Sequence, residues 1–169
     1  MKIIQKLIDD QYPYSYIDHV RKCSRGVVFN EKKEVALVKL HGFDSFGDRN
    51  YYELPGGGVK SKERISDAFL REMNEEIGYE VEILASLGQV CDFYNLIHRE
   101  NHNYYFLAKT KQWVGTKLDD YEKTMIEEIV WLPIDEAIEK FKAMQDYGCG
   151  ILVKRRELPI LQLAKKLIG

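Results

Sequence analysis

"LPGGGVKSKERISDAFLREMNEEIGYE", residues 54–80, runs a short apolar entry into three glycines, a basic turn and then an acidic segment closed by Gly78. The spacing from about Ile65 to Ile77 predicts a helix, with Gly78 as its left-handed stop. Gly56, Gly57 and Gly58 follow a strand-like "YYEL" (51–54). Glycines in that place let backbone approach a ligand and leave amides or carbonyls free. The helix carries Glu72, Glu75 and Glu76 within five residues. Like charges at helical spacing repel, so the question is what offsets them.

At about 100° per residue, with Ile65 at zero, the apolar side chains cover an arc centred near 60°. Arg71, Asp67 and Asn74 occupy the opposite, solvent pole. Glu72 falls near 340° and Glu76 near 20°, inside the arc that should be buried, and Glu75 near 280° lies at its margin. The three heads can converge, being three and four residues apart. Half-buried carboxylates need a partner, and on this wheel Arg71 points away. A hard divalent cation, which takes carboxylate oxygens, is the expected partner, with a solvated acidic face as the alternative.

Outside this stretch, "SRGVVFN" (24–30) and "KEVALVKL" (33–40) read as a hairpin turned by Asn30-Glu31-Lys32. "HGFDSFGDRN" (41–50) reads as a loop, "YEVEILASLGQVCDF" (79–93) as one or two strands, and "NYYFLAKT" (103–110) and "EEIVWLP" (127–133) as further strands. "IDEAIEKFKAM" (134–144) has helical spacing, and "LPILQLAKKLI" (158–168) reads as a closing helix with Pro159 in its first turn. Interspersed strands and helices imply an α/β fold, a mixed sheet covered by helices. The length of 169 residues fits one domain spanning 1–169. A net charge of −2 gives no general attraction to nucleic acid or membrane. Cys23, Cys91 and Cys149 are odd in number and far apart, which excludes a disulfide framework and fits a reducing cytoplasm. No apolar run reaches spanning length, and "MKIIQKLIDDQYPY" turns polar too soon for a secretory signal.

Residues 57–79 resemble the Nudix box, G-x5-E-x7-R-E-U-x-E-E-x-G-U with U bulky and apolar. Gly57, Glu63, Arg71, Glu72, Glu75, Glu76 and Gly78 supply all seven fixed positions. Tyr79 fills the last apolar position where an aliphatic residue is usual, "KSK" (60–62) replaces an acidic turn, and Arg64 stands where a Ser or Thr cap is common. The resemblance implies an α/β/α sandwich of the Nudix, or MutT, type. It also implies a pyrophosphatase using Mg²⁺ or Mn²⁺ on a nucleoside diphosphate linked to another moiety, in a nucleotide triphosphate, nucleotide sugar or dinucleoside polyphosphate. By position Glu72, Glu75 and Glu76 match metal-binding glutamates, and Gly56 a site whose carbonyl can join them. Arg71 and Glu63 match residues that orient the catalytic helix, by pairing with each other. A general base is expected at Glu72, or at Glu127 or Glu128 before the "IVWLP" strand.

Arg21, Arg25, Lys39 and Lys60 are candidates for phosphate contact, though surface charge is the commoner role of such residues. Tyr51, Tyr52, Phe93, Tyr94, Tyr104 and Tyr105 are candidates for base stacking, though strand aromatics usually serve the core. "HRENH" (98–102) reads as a loop rather than a metal site. An isopentenyl-diphosphate-type isomerase and a non-catalytic nucleotide-binding domain share the implied fold and stand as alternatives. The expected partner is a small nucleotide, with neither membrane nor nucleic acid, and segment 1–20 is a candidate homodimer contact.

Overall fold

The computed structural model describes residues 1–169. Ten strands appear in chain order: β1 (Ile3–Leu7), β2 (His19–Phe29), β3 (Glu34–Leu40), β4 (Phe43–Asp44), β5 (Gly47–Asp48), β6 (Tyr51–Glu53), β7 (Gly56–Gly58), β8 (Tyr79–Tyr94), β9 (Arg99–Trp113) and β10 (Ile126–Pro133). The helices are α1 (Ile65–Glu72), α2 (Asp120–Met125), α3 (Ile134–Lys142) and α4 (Gly148–Ile168). The main sheet runs β1-β8-β9-β2-β3-β10, with β6 paired to β3 and β7 to β2. It is mixed: β1 lies parallel to β8 and β2 parallel to β9, and the other pairings are antiparallel.

The predicted hairpin turn forms. Asn30 Oδ1 accepts from the Lys32 and Glu34 amides at 2.9 and 3.0 Å, and Lys33 takes the left-handed conformation. The two strands then part, for β2 and β3 meet only at Phe29↔Val35. Beyond that pair β2 takes β7 and β3 takes β6 as partners. A split opens in the sheet there, and the cleft described below lies along it.

Helices cover both faces, giving the expected sandwich. On one face Phe69, Met73 and Ile77 pack with Val28, Phe106 and Ala108. On the other, α3 and α4 close a larger core around Leu37, Leu54, Tyr105, Phe141 and Ile160.

Four expected boundaries are corrected. β2 begins at His19, not at Ser24, because its charged first half pairs along β9 while one face stays open. Arg99–His102 is the start of β9, not loop. Residues 41–50 hold a small β4–β5 hairpin. The last helix begins at Gly148, ten residues before its expected start, and Pro159 sits in its interior. Pro159 is exposed, so its ring meets solvent, while Cys149, Leu152, Val153, Arg156, Glu157, Ile160, Leu161 and Ala164 form one buried stripe. Two members of that stripe are charged, which hides its period.

Candidate active site

α1 winds normally to Glu72, and Met73–Ile77 then takes the wider π-helical turn, ending at Gly78 in the left-handed region. The single helix expected over 65–77 is thus two windings. The π turn's i→i+5 period lags an α-helix, so it brings Glu76 round towards the azimuth of Glu72. Both are buried, at 6% and 7% exposure. Glu75 lies at the rim, its side chain 35% exposed. The Asn74 side-chain amide donates to the Leu70 carbonyl at 3.1 Å, supporting the turn.

Arg71 does not point to solvent as the α-helical wheel places it. Its Nε and Nη2 donate to the two Glu63 oxygens at 2.8 and 3.0 Å, the pairing the resemblance implies. Nη1 donates to Glu72 Oε1 at 2.7 Å and to Glu75 Oε2 at 2.9 Å, and Nη2 also reaches the Gly58 carbonyl at 2.9 Å. One guanidinium therefore ties the glycine strand, the turn before α1 and two helix carboxylates together. Its hydrogen bonds hold the Glu63 carboxyl down at about 2. Burial pushes the Glu72 carboxyl up against the pull of Arg71. Burial raises Glu76 furthest, to about 8, although the Gly56 amide donates to its Oε2 at 2.7 Å.

The glycine requirement is specific here. Gly56 has φ +142°, and a Cβ there would stand 2.2 Å from the Ser24 carbonyl oxygen. A Cβ on Gly57 would meet the Glu72 carboxylate at 2.5 Å. β7 thus lies directly against the carboxylate edge.

These groups line one wall of a cleft of about 700 Å³. Arg21, Arg25, Lys60, Tyr51 and Tyr94 also line it, whereas Lys39, Tyr52, Phe93, Tyr104 and Tyr105 do not. Tyr105 is buried instead and donates to Glu157 Oε1. Glu127 and Glu128 are exposed on β10, away from the cleft. The carboxylates that reach it from that side are Asp119 and Glu122, at the start of α2. Glu122 is close enough to be among the charges that raise Glu72. His98 and His102 go separate ways, His98 stacking on Tyr16 and His102 bonding Glu100.

Sequence reasoning missed Arg99, Asn101, Asn103 and Arg156, all of which line the cleft. The alternation of polar residues at 99, 101 and 103 continues the period of the "NYYFLAKT" strand and was the available signal.

No three histidine, cysteine, aspartate or glutamate side chains are gathered around one point as a finished metal site. Glu72 and Glu75 share Arg71 Nη1, and Glu76 faces the Gly56 amide. The donor set nevertheless fits a hard divalent ion in kind, since three carboxylates come from adjacent turns and two already meet at a single cationic nitrogen.

The NUDIX domain model matches residues 21–149. Among curated proteins, a CMP-5'-(N-acetyl-N-hydroxy-3-aminopropyl)phosphonate hydrolase of Streptomyces rubellomurinus is 31% identical over 127 residues, 75% of this chain and 58% of that protein. An RNA pyrophosphohydrolase of Ruthia magnifica is 32% identical over 95 residues, 56% of this chain and 38% of that protein. The chain thus spans less than two thirds of these relatives. Among solved structures, the MutT protein of Methanosarcina mazei Go1 superposes with a TM-score of 0.62 at 18% identity, covering 92% of this chain and 99% of that one. A NUDIX hydrolase of Nitrosomonas europaea gives 0.59 at 21% identity, covering 72% and 78%.

Proposed function

The chain belongs to the NUDIX family, and on that premise we propose that it is a metal-dependent hydrolase cleaving the pyrophosphate bond of a nucleoside diphosphate linked to another group. The observation that carries the reading is the Arg71 clamp, which presents Glu72 and Glu75 beside Glu76 at the mouth of a cleft lined with cations. The names of the relatives, an RNA pyrophosphohydrolase and a hydrolase of a CMP-linked phosphonate, support a nucleotide substrate.

Glu72, Glu75 and Glu76, with the Gly56 carbonyl, would hold Mg²⁺ or Mn²⁺. When bound, such an ion offsets phosphate charge and lowers the pKa of a coordinated water. Arg71 and Glu63 fix the carboxylate edge against β7, so that the helix does not reorganise as the substrate enters. Glu122 or Glu72 accepts the attacking water's proton. Glu122 takes the place expected for Glu127, because it lines the cleft and is near enough to Glu72 to raise its carboxyl. Arg21 and Lys60 face the substrate's phosphates from the glycine side.

The chain has no helix long and apolar enough to cross a membrane, and its three cysteines are free and buried, which suits a reducing cytoplasm. Ile3, Ile4 and Ile8 are exposed at or beside β1 and support a homodimer through segment 1–20. A monomeric mass by light scattering at high concentration would remove that part of the proposal.

The test is a product-identified assay with Mg²⁺ or Mn²⁺ over nucleoside triphosphates, nucleotide sugars and dinucleoside polyphosphates, with Glu76→Gln alongside. Cleavage between two phosphorus atoms, lost in the variant, is the expected result. Folded, metal-loaded protein that cleaves none of the panel overturns the proposal for these substrates.

A further inference from the structure

The parallel register of β2 and β9 sets His19 beside Arg99, Arg21 beside Asn101 and Cys23 beside Asn103. Parallel neighbours in register share a face, so Arg21, Arg99 and Asn101 stand together on the cleft side of the sheet, with Arg21 beside Gly58 of the glycine strand. Of the six other basic residues lining the cleft, Lys60 and Lys117 have no ion-pair partner and the four arginines are already matched. Arg25 pairs with Glu53, Arg49 with Asp44, Arg71 with the box glutamates and Arg156 with Glu157. Neither Arg21 nor Arg99 has a carboxylate oxygen within 4.0 Å.

Arg21 is exposed to the solvent of the cleft, whereas the donors beside it are buried and left over where that is costly. Arg99 Nε is buried without an acceptor, and its guanidinium lies 5.0 Å from the Tyr94 ring centre. Asn101 is 2% exposed, and its Nδ2 makes no hydrogen bond, although the buried Asp92 carboxylate opposite it on β8 is near enough to be held down by it. Burial, and then the positive charge of Arg21, make the Arg99 guanidinium easier to deprotonate than usual. Two cations that repel each other beside an unmatched amide donor form a site for an anion. Guanidinium forks match phosphoryl oxygens, and converging forks from two strands suit a tetrahedral group better than a planar one.

We propose that Arg21, Arg99 and Asn101 form a second anion site, which takes a phosphoryl group of the substrate lying outside the scissile bond. The reading of the cleft as a nucleotide site supplies only the identity of the molecule that carries this group. The anion site itself stands on the unmatched donors.

The experiment separates the two. With EDTA present the carboxylate edge is anionic and repels phosphate, so phosphate bound by metal-free protein reports on the basic groups of the cleft, and its loss in the Arg99 and Asn101 variants reports on this site. Inorganic phosphate is titrated into wild type, Arg99→Leu, Arg21→Leu, Asn101→Asp and Lys39→Ala, followed by ³¹P NMR. Wild type and Lys39→Ala are expected to bind alike. Loss of a charged donor is expected to weaken binding by about 10- to 100-fold. Should Arg99→Leu fail to fold, Arg99→Lys and Asn101→Asp carry the same test, since lysine keeps the charge without the fork. No phosphate binding by wild type, or binding unchanged in the Arg99 and Asn101 variants, overturns the site. Equal binding of succinate overturns its assignment to phosphoryl groups. Hydrolysis that proceeds without phosphate binding removes only this proposal, and phosphate binding without any hydrolysis removes only the other.

Discussion

The carboxylate edge and the cluster of Arg25, Glu53, Asp92, Arg156 and Glu157, which reaches the same cleft through Arg25, Glu53 and Arg156, balance charge differently. At the edge one guanidinium, its side chain 20% exposed, serves three carboxylates. Glu72 and Glu75 each keep an oxygen that Arg71 does not use. In the cluster Arg156 donates to Glu157 Oε1 at 2.9 Å and to the Tyr94 hydroxyl at 2.9 Å, with Asp92 at 3.4 Å. Glu157 also accepts from the Leu54 amide and from Tyr105. Both Glu157 oxygens are thereby occupied and out of solvent, so the group has no capacity left for a ligand. The edge has such capacity. The carboxylate of Glu157 is saturated, with Arg25 Nε the one donor of the cluster that is buried without an acceptor, whereas the carboxylates of the edge are left short of partners.

The strongest way to break this contrast is Arg156→Met. It removes the counter-charge of Glu157 and Asp92, neither of which can reach water. Breaking a buried pair of this kind costs about 3–5 kcal/mol, and chemical denaturation should show a loss of that size. A loss under about 1 kcal/mol would mean that the cluster is not structural.

Glu76 provides the next test, in metal-free protein. Its carboxyl sits near 8 in the fold against 4.5 unfolded. Between these values the native state keeps a proton that the unfolded chain has lost. Stability therefore falls as pH rises through that window and levels off above about 8. Roughly 3 kcal/mol should be lost between pH 5 and 7.5 through this group alone. Glu76→Gln should flatten the profile by that amount. Saturating Mg²⁺ should recover stability at pH 8 in wild type and not in the variant, because the ion takes the ionised carboxylate.

The same contrast explains which parts were legible in the sequence. Every residue of the edge lies between Gly56 and Glu76, so helical spacing alone placed three carboxylates on one side. The π turn was not legible, and with it the direction of Arg71, since the 100° wheel assumes one winding throughout. The saturated cluster draws on β2, β6, β8 and α4, and its two α4 members broke the apolar stripe that marks a buried helix. Arg99 and Asn101 were hidden for a related reason. Polar residues facing a cleft make a strand read as a loop, although a mixed sheet covered by helices followed from the apolar segments around them and the sandwich from the family resemblance.

Gly57→Ala sharpens the account of the edge at lower cost. The added methyl meets the end of the Glu72 side chain rather than backbone. The carboxylate can swing away, so stability should fall by no more than about 1 kcal/mol. A displaced carboxylate is still a misplaced ligand, and a shift of about 1 Å costs on the order of 100-fold in rate. Denaturation and kcat/KM measured on one preparation should therefore diverge. Parallel losses in both would mean that Gly57 serves the fold alone.

The smallest effect belongs to Glu127→Gln. Its side chain is exposed on β10, and both turnover and stability should match wild type. Glu122→Gln is the informative companion. Glu122 caps α2 reciprocally with Asp119, accepting from the Asp119 amide at 2.8 Å while its own amide donates to Asp119 Oδ1 at 2.8 Å. Glutamine serves in such a capping box as well as glutamate does, so the substitution removes the charge and keeps the helix start. A fall of about 100-fold in kcat with unchanged stability would identify Glu122 as the proton acceptor. Unchanged kcat in Glu122→Gln would leave that role to Glu72. A fall in kcat for Glu127→Gln would mean that β10 moves its acidic end into the cleft during turnover.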